Sequence, residues 1–337
     1  MTATDMKHEK RIAQFRSMVG RRLASYLRAG RQGDLSAASR YVMAGGGKRV
    51  RSALVLCSCE AVGGTAASAV NAGAAIELMH NFTLVHDDIM DKAPSRRGRA
   101  TVHVAWDLNT ALLVGDILLG HAYDLLLRSD PRILNDLTAS FTRGLLEVCR
   151  GQAMDLEFER RDDVTTRDYF IMIEMKTGCL LSMACEMGGL LGGGSRKEVL
   201  ALRRFGRYLG RAFQLQDDLL DVVADQERLG KPIGGDIIEG KRTYLLLTAL
   251  DRARGGDRRV LRSVMSSGGR AGRARLPRHV VIHRVTEIYH RTGVLRDTER
   301  LVRANTRHAL AALDGLRPSP AREGLRWMAE QLVKRAS

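Results

Sequence analysis

Aromatic residues make up only 5% of this 337-residue chain, and proline occurs six times. With so few aromatics, and no basic run interleaved with them, a surface that stacks on nucleic-acid bases is not expected. Few prolines leave long segments uninterrupted, and the alternation that marks strands is nearly absent. No uncharged apolar run reaches the roughly 18 residues that a spanning helix needs. The most apolar stretch, "GCLLSMACEMGGLLGGG", is broken by Glu186. No integral membrane segment is therefore expected. The N-terminal "MTATDMKHEKRIAQFRSM" is charged and lacks an apolar signal core, which points to the cytoplasm. Five cysteines (Cys57, Cys59, Cys149, Cys179 and Cys185) form no CxxC pair, so reduced thiols are expected rather than a zinc site. There is no G-x-S-x-G, no H-E-x-x-H and no glycine-rich Rossmann turn after a strand.

What is present is helical periodicity along most of the chain and a formal charge of +16. Apolar spacing and breaks such as "AGGG", "VGGT", "SDPR", "GGGS" and "LGKPIGGD" predict helices over 6–30, 34–44, 49–62, 66–92, 105–128, 131–159, 166–192 and 196–224. Further helices are expected over 240–253, 256–266, 277–293, 296–314 and 319–335. No Pro/Ser-rich linker divides the chain, so a single all-α domain is expected. The positive balance suits anionic substrates, an anionic membrane surface or nucleic acid, or simply a solvated basic surface. Its densest part, Arg252 to Arg284, reads as helices around an exposed loop, "SSGGRAGRARLPR".

One pattern occurs twice. "HDDIMD" at 86–91 is answered by "QDDLLD" at 216–221, each a D-D-x-x-D after an apolar helix. On a helix Asp87 and Asp91 lie one turn apart on one face, and His80 falls on the same stripe. Like charges so placed repel, so a cation is expected to compensate. Oxygen ligands with an open coordination sphere suit Mg²⁺, which keeps its waters and bridges carboxylate to substrate phosphate. Asp217, Asp218 and Asp221 repeat the arrangement, with Gln214 one turn earlier. A single such triplet is most often a solvated helix face; two are harder to dismiss. If the two helices face one another, their carboxylates line opposite walls of one cleft.

Basic residues follow both motifs: Arg96 and Arg97 after the first, Lys231 and Lys241 after the second. "GGGKRVRS" adds Lys48, Arg49 and Arg51 behind Gly45–Gly47, and "EMKTG" adds Lys176 and Thr177. Carboxylates with Mg²⁺, beside arginine forks and lysines, are what a diphosphate requires. The "GGGKRVRS" segment is no nucleotide P-loop, because Lys48 is followed by Arg49 and no strand precedes it. His86 and His103 read as core or surface histidines, whereas His80 reads as a site residue.

Taken together, these segments resemble the trans-isoprenyl diphosphate synthases of the polyprenyl synthetase family. The matching stretches run in order: "GGGKRVRS", "ELMHNFTLVHDDIMDKAPSRRGRATVH", "VGDILL", "GQAMDLEF", "KTG", "AFQLQDDLLD" and "GKPIGGDIIEGKRT". The resemblance implies an all-α fold around a deep central cavity, usually as a homodimer, joining isopentenyl diphosphate to an allylic diphosphate. It implies that Asp87 and Asp91 bind two Mg²⁺ and Asp217 a third, with Asp88, Asp218 and Asp221 as water-linked or supporting partners. Asp88, Lys176 and Lys231 also count among the expected catalytic residues. Arg96, Lys176, Thr177, Gln214, Lys231 and Lys241 would hold the allylic diphosphate. Lys48, Arg51, His80 and Arg97, with the Gly47 backbone, would hold isopentenyl diphosphate. Ser52 and Ala100 stand where prolines are common in the family, and "KRTYLLL" lacks a proline after its threonine.

In the family, side chains below the first acidic turn set product length. Phe82 and Met79 lie five and eight residues before Asp87, about 7.5 and 12 Å down the axis at helical rise. Phe82 without a two-residue insertion in the motif resembles enzymes making the twenty-carbon geranylgeranyl product; farnesyl or longer products are the alternative. The other rivals are a class I terpene cyclase, which would carry a different second metal motif and more aromatics, and a non-catalytic basic binding protein.

Overall fold

In the computed structural model the described residues are 3–28, 33–223, 234–267 and 277–334. Lys231, the "LGKPI" segment and most of the basic loop after Ser267 lie outside them. The fold is all-α. Among the described residues no helix is long and apolar enough to cross a membrane. The chain forms two compact units. One draws on the chain up to Leu145, Leu180–Arg203 and Leu313–Trp327; the other on Leu146–Cys179, Arg204–Ala312 and the chain from Met328.

The first unit opens with α1 (Ala3–Arg28), α2 (Asp34–Ala44), α3 (Val50–Ala61) and α4 (Ala66–Met90). In α1, Ile12, Phe15, Val19 and Leu23 are buried at helical spacing, a single apolar stripe. The centre of the unit is α4, whose run from Ala72 to Met79 is buried without a break. Its alanines and Gly73 let neighbours approach closely; a Cβ on Gly73 would sit 2.7 Å from Leu56 of α3. Thr65 caps α4, its side chain accepting from the Ser68 amide.

At its other end α4 stops two residues earlier than the sequence suggests. Lys92 takes the left-handed conformation at φ 52°, its N–H donating to Ile89 O, while Ala93 N donates to Asp88 O. That is a Schellman ending with lysine where glycine is usual. A small antiparallel ribbon follows, β1 (Ser95–Arg96) and β2 (Arg99–Ala100), which periodicity did not foresee. Its two-residue turn, Arg97-Gly98, has both φ angles positive (53° and 73°), the geometry that matches strand twist. Then come α5 (Val102–Ala105) and α6 (Leu108–Leu126), in place of one expected helix.

The second unit takes its helices from α7 (Leu134–Phe158), α8 (Thr166–Ile173) and α10 (Arg196–Val223), the first and last of which begin in the first unit. Between α8 and α9 (Cys179–Leu191) the expected continuous helix is interrupted by a π turn, Glu174–Gly178. Glycines make room for it: a Cβ on Gly151 would lie 2.4 Å from the Lys176 amide, and one on Gly210 2.4 Å from the Gly178 Cα. A short α11 (Gly235–Glu239) was not expected, and α12 (Tyr244–Arg252) begins four residues later than the helix expected over 240–253. α13 (Gly255–Ser267), α14 (Arg278–Thr292), α15 (Val294–Ala312) and α16 (Pro320–Lys334) complete the set. Tyr169, Met172 and Ile173 pack with Leu215, Leu247 and Val302 in one apolar cluster. The missing proline after Thr243 leaves Tyr244 at the first position of α12, behind a threonine cap.

Candidate active site

In the first unit, α4, the ribbon and the "GGG" loop bring their polar residues together. Asp87 is half-buried and Asp91 exposed at the helix end, its amide donating to Asp87 O at 2.8 Å. The two are one turn apart, as the spacing requires. Asp88 points elsewhere: it is only 6% exposed and accepts from Arg96 Nε at 2.6 Å. Burial raises its carboxyl above the usual range, and the Arg96 contact opposes that. Arg96 has its remaining guanidinium N–H groups on the Nη atoms.

Arg97 donates to the Gly46 carbonyl and lies against Gly47, where a Cβ would be 3.0 Å from its Nη1. Gly47 itself has φ 146°. Arg99 supports the same loop, donating to Tyr41 O at 3.1 Å with its guanidinium carbon 3.8 Å from the Tyr41 ring centre. The ribbon and the glycine loop are thus one structure, and Lys48 sits exposed beyond it. Arg49 turns away toward α1, donating to Arg16 O.

Arg51 Nη1 lies 3.2 Å from His80 Nε2. Arginine can only donate, so Nε2 accepts and the ring proton resides on Nδ1. Burial, with Arg51, Arg97 and Arg96 adding to it, holds His80 well below its ordinary value and hence neutral. Ser52 uses its N–H to donate to the buried Glu77 carboxylate at 3.1 Å, a bond that proline could not make. Nothing singled out Glu77 in the sequence; it reads as one more core position of α4. Met79 is fully buried and Phe82 nearly so. The Phe82 ring meets His86 edge-on, 4.8 Å between centres, and His86 is seated over Gly115 of α6. A recess of about 50 Å³ beside Asp88, Arg96 and Arg97 is lined also by Tyr41, Asn81 and Leu84, room for a few waters.

In the second unit the second motif divides in the same manner. Asp217 is exposed and Asp218 is 5% exposed. Tyr169 donates its hydroxyl to Asp218 Oδ2 at 2.6 Å, and Gln214 Nε2 donates to Oδ1 at 2.8 Å. Thr177 in turn donates to Gln214 Oε1 at 2.8 Å. Burial, with Asp236 adding, pushes Asp218 well above the usual carboxylate range, opposed by the two donors. Asp221 caps α11, accepting from the Asp236 amide at 2.9 Å; burial and Asp236 push it up to about 6. Lys241 reaches Asp236 at 3.1 Å and Glu239 at 2.9 Å. Burial disfavours its charge, but those two carboxylates outweigh burial and raise it. Lys176 Nζ meets Asp155 Oδ2 at 2.5 Å. Asp155, Asp236 and Tyr169 were not picked out from the sequence. The first two were visible only as acids inside "GQAMDLEF" and "GGD", and Tyr169 had no signal.

Among the described residues no three His, Cys, Asp or Glu side chains converge as a ready-made metal cage. Asp87 and Asp91 offer carboxylate oxygens one turn apart, the donor type that Mg²⁺ takes one or two at a time while it completes its shell from water and substrate phosphate.

Residues 32–278 match the polyprenyl synthetase family. A short chain isoprenyl diphosphate synthase of Methanothermobacter thermautotrophicus is 40% identical over 299 residues, covering 88% of this chain and 89% of that one. The crystal structure of geranylgeranyl pyrophosphate synthetase from Pyrococcus horikoshii superposes with a TM-score of 0.89 at 33% identity, covering 97% of this chain and 99% of that one. The geranylgeranyl pyrophosphate synthase of Corynebacterium glutamicum, complexed with isoprenyl diphosphate and magnesium, gives 0.85 at 29% identity, covering 96% and 99%. With that match across most of its length, the chain belongs to the polyprenyl synthetase family, a family of all-α prenyltransferases.

Proposed function

We propose that this protein condenses isopentenyl diphosphate head-to-tail with allylic diphosphates, and that its main product is geranylgeranyl diphosphate. The observation that carries this is the twofold division of the acidic motifs. In each, the first aspartate is more exposed than the second (Asp87 half-buried, Asp217 exposed), and the second is buried and tied to a neighbour. Magnesium is supported by the oxygen donor set and by the magnesium-bound relative; Asp87 and Asp91 are read as ligands of two ions and Asp217 of a third. When bound, magnesium would neutralise the leaving diphosphate.

In the second unit Lys176, Thr177, Gln214 and Lys241 are read as holding the allylic diphosphate, with Lys231 assigned on resemblance alone. In the first, Arg51, Arg97, Lys48, the Gly47 backbone and neutral His80 are read as holding isopentenyl diphosphate. Fixed cations stabilise the charge that develops as the allylic C–O bond breaks, the dominant catalytic term in such ionisations. The double bond of isopentenyl diphosphate then attacks the allyl cation, and the departed diphosphate takes the proton. No protein nucleophile is required. Water must be kept out, since it would quench the cation.

Two further points belong to the same reading. The protein acts in the cytoplasm, and it is a homodimer, for which Val104, Leu108, Leu112 and Leu113, exposed apolar residues of α5 and α6, are read as interface residues. Sedimentation at micromolar concentration should give twice the chain mass; a monomer would reject it. The function itself is tested by incubating the protein with Mg²⁺, isopentenyl diphosphate and dimethylallyl, geranyl or farnesyl diphosphate. Dephosphorylated products are then sized. Twenty-carbon alcohol is expected; no elongation with any primer would reject the proposal.

A further inference from the structure

Gln214 and Thr177 hold defined orientations, and the group that defines them is buried beneath both. We propose that Tyr169 and Asp218 form a positioning pair that fixes the Gln214 amide, and through it Thr177, for the allylic diphosphate. The inference rests on the proposed function and deepens it.

The chemistry follows from donor and acceptor counting. The Asp218 carboxylate receives Tyr169 on one oxygen and Gln214 on the other, at 2.6 and 2.8 Å. Both Asp218 oxygens accept, one from Tyr169 and one from Gln214, so the face of Gln214 turned toward it is the NH₂. The Gln214 carbonyl therefore faces Thr177 and receives its hydroxyl at 2.8 Å. One amide hydrogen is committed to Asp218, and the second remains for a phosphate oxygen. Were Gln214 flipped, its carbonyl would confront Asp218, acceptor against acceptor, and would present the wrong end to Thr177.

Tyr169 is what keeps Asp218 in place. Its ring is 1% exposed and packed among Met172, Ile173 and Leu215, with Phe170 edge-on at 5.5 Å. It cannot reach solvent or substrate, so it acts only through Asp218. The hydroxyl satisfies one carboxylate oxygen and so fixes which oxygen turns to Gln214. Without it, the carboxylate can rotate and the Gln214 contact loses its geometry. The π turn adds the other constraint. It carries Lys176 and Thr177 as neighbours and is pressed between Gly151 and Gly210, leaving Thr177 no freedom to follow a displaced Gln214.

The test is Tyr169→Phe, which removes one oxygen and keeps the ring. Steady-state rates are measured with geranyl diphosphate varied at saturating isopentenyl diphosphate, and the reverse. The expected result is a rise of about tenfold in the KM for geranyl diphosphate, the scale of one charge-assisted hydrogen bond, with the isopentenyl KM within about twofold. Gln214→Ala should raise the same KM, and adding Tyr169→Phe to it should change nothing further. Asp218→Asn, which lets the amide pair either way, should reproduce the Tyr169→Phe effect. An unchanged geranyl KM in Tyr169→Phe while Gln214→Ala is impaired overturns the positioning pair and leaves the function standing. Equal loss for both substrates, or full additivity with Gln214→Ala, shows a general packing role and also overturns it. A Gln214→Ala protein with normal kinetics overturns both the ligand assignment and the pair.

Discussion

Arg97 lies directly against Gly47: a Cβ on that glycine would be 3.0 Å from Nη1 and 3.3 Å from the guanidinium carbon. The glycine also sits at φ 146°, where other residues are strained. The third glycine of "GGGKRVRS" and the second arginine of "SRRGRA" are therefore two halves of one feature, although 50 residues separate them. Gly47→Ala should displace Arg97 and raise the KM for isopentenyl diphosphate by about tenfold, leaving the allylic KM within about twofold. Rate measurements with each substrate varied check this; equal effects on both would contradict it.

Asp87→Ala and Asp217→Ala should each lower turnover by at least about a hundredfold, because they remove stabilisation of the leaving charge. Asp87 is half-buried and Asp217 exposed, so melting temperatures should stay within about 3 °C of the parent. Asp88→Ala should behave differently. It strands Arg96 and empties a buried position, and should cost about 2 kcal/mol of stability as well as activity. Full turnover in the Asp87 variant would count against the metal assignment.

Product length should respond to Phe82. The ring is held edge-on by His86, which rests over Gly115 of α6, so its position is well defined. Phe82→Ala should shift products beyond twenty carbons on reversed-phase chromatography. Met79→Ala should extend them further if both residues floor the cavity. Unchanged products from both variants would remove that role.

His80 should make the substrate-free protein sensitive to mild acid. Its folded-state value is depressed by burial and by Arg51, Arg97 and Arg96. The unfolded chain therefore takes up a proton near pH 6.5 that the folded protein refuses. The stability is fully present above that pH and is lost as pH falls, by up to about 1.4 kcal/mol per pH unit. His80→Gln should flatten the dependence of urea unfolding between pH 7 and 5. An unchanged slope would show that His80 protonates freely in the folded state.

Helical periodicity alone determined the all-α class and placed most helix bodies, because a buried stripe such as Ile12-Phe15-Val19-Leu23 must repeat every three or four residues. It failed where tertiary contacts override local preference. The π turn at 174–178 exists because Gly151 and Gly210 make room for it, and neither glycine is near it in sequence. The ribbon at 95–100 is too short to alternate, and only the turn chemistry of Arg97-Gly98 encodes it.

For the site, spacing identified which aspartates repeat, and resemblance supplied their roles. Neither could say that Asp88 and Asp218 turn inward, nor that Asp155 and Asp236 neutralise the lysines. A carboxylate's direction depends on its position around the helix, which the sequence gives. What meets it there depends on residues such as Arg96 and Tyr169, brought in by the ribbon and by α8. Those partners are decided only when the chain has packed, because hydrogen bonds need atoms within about 3 Å whatever their separation along the chain.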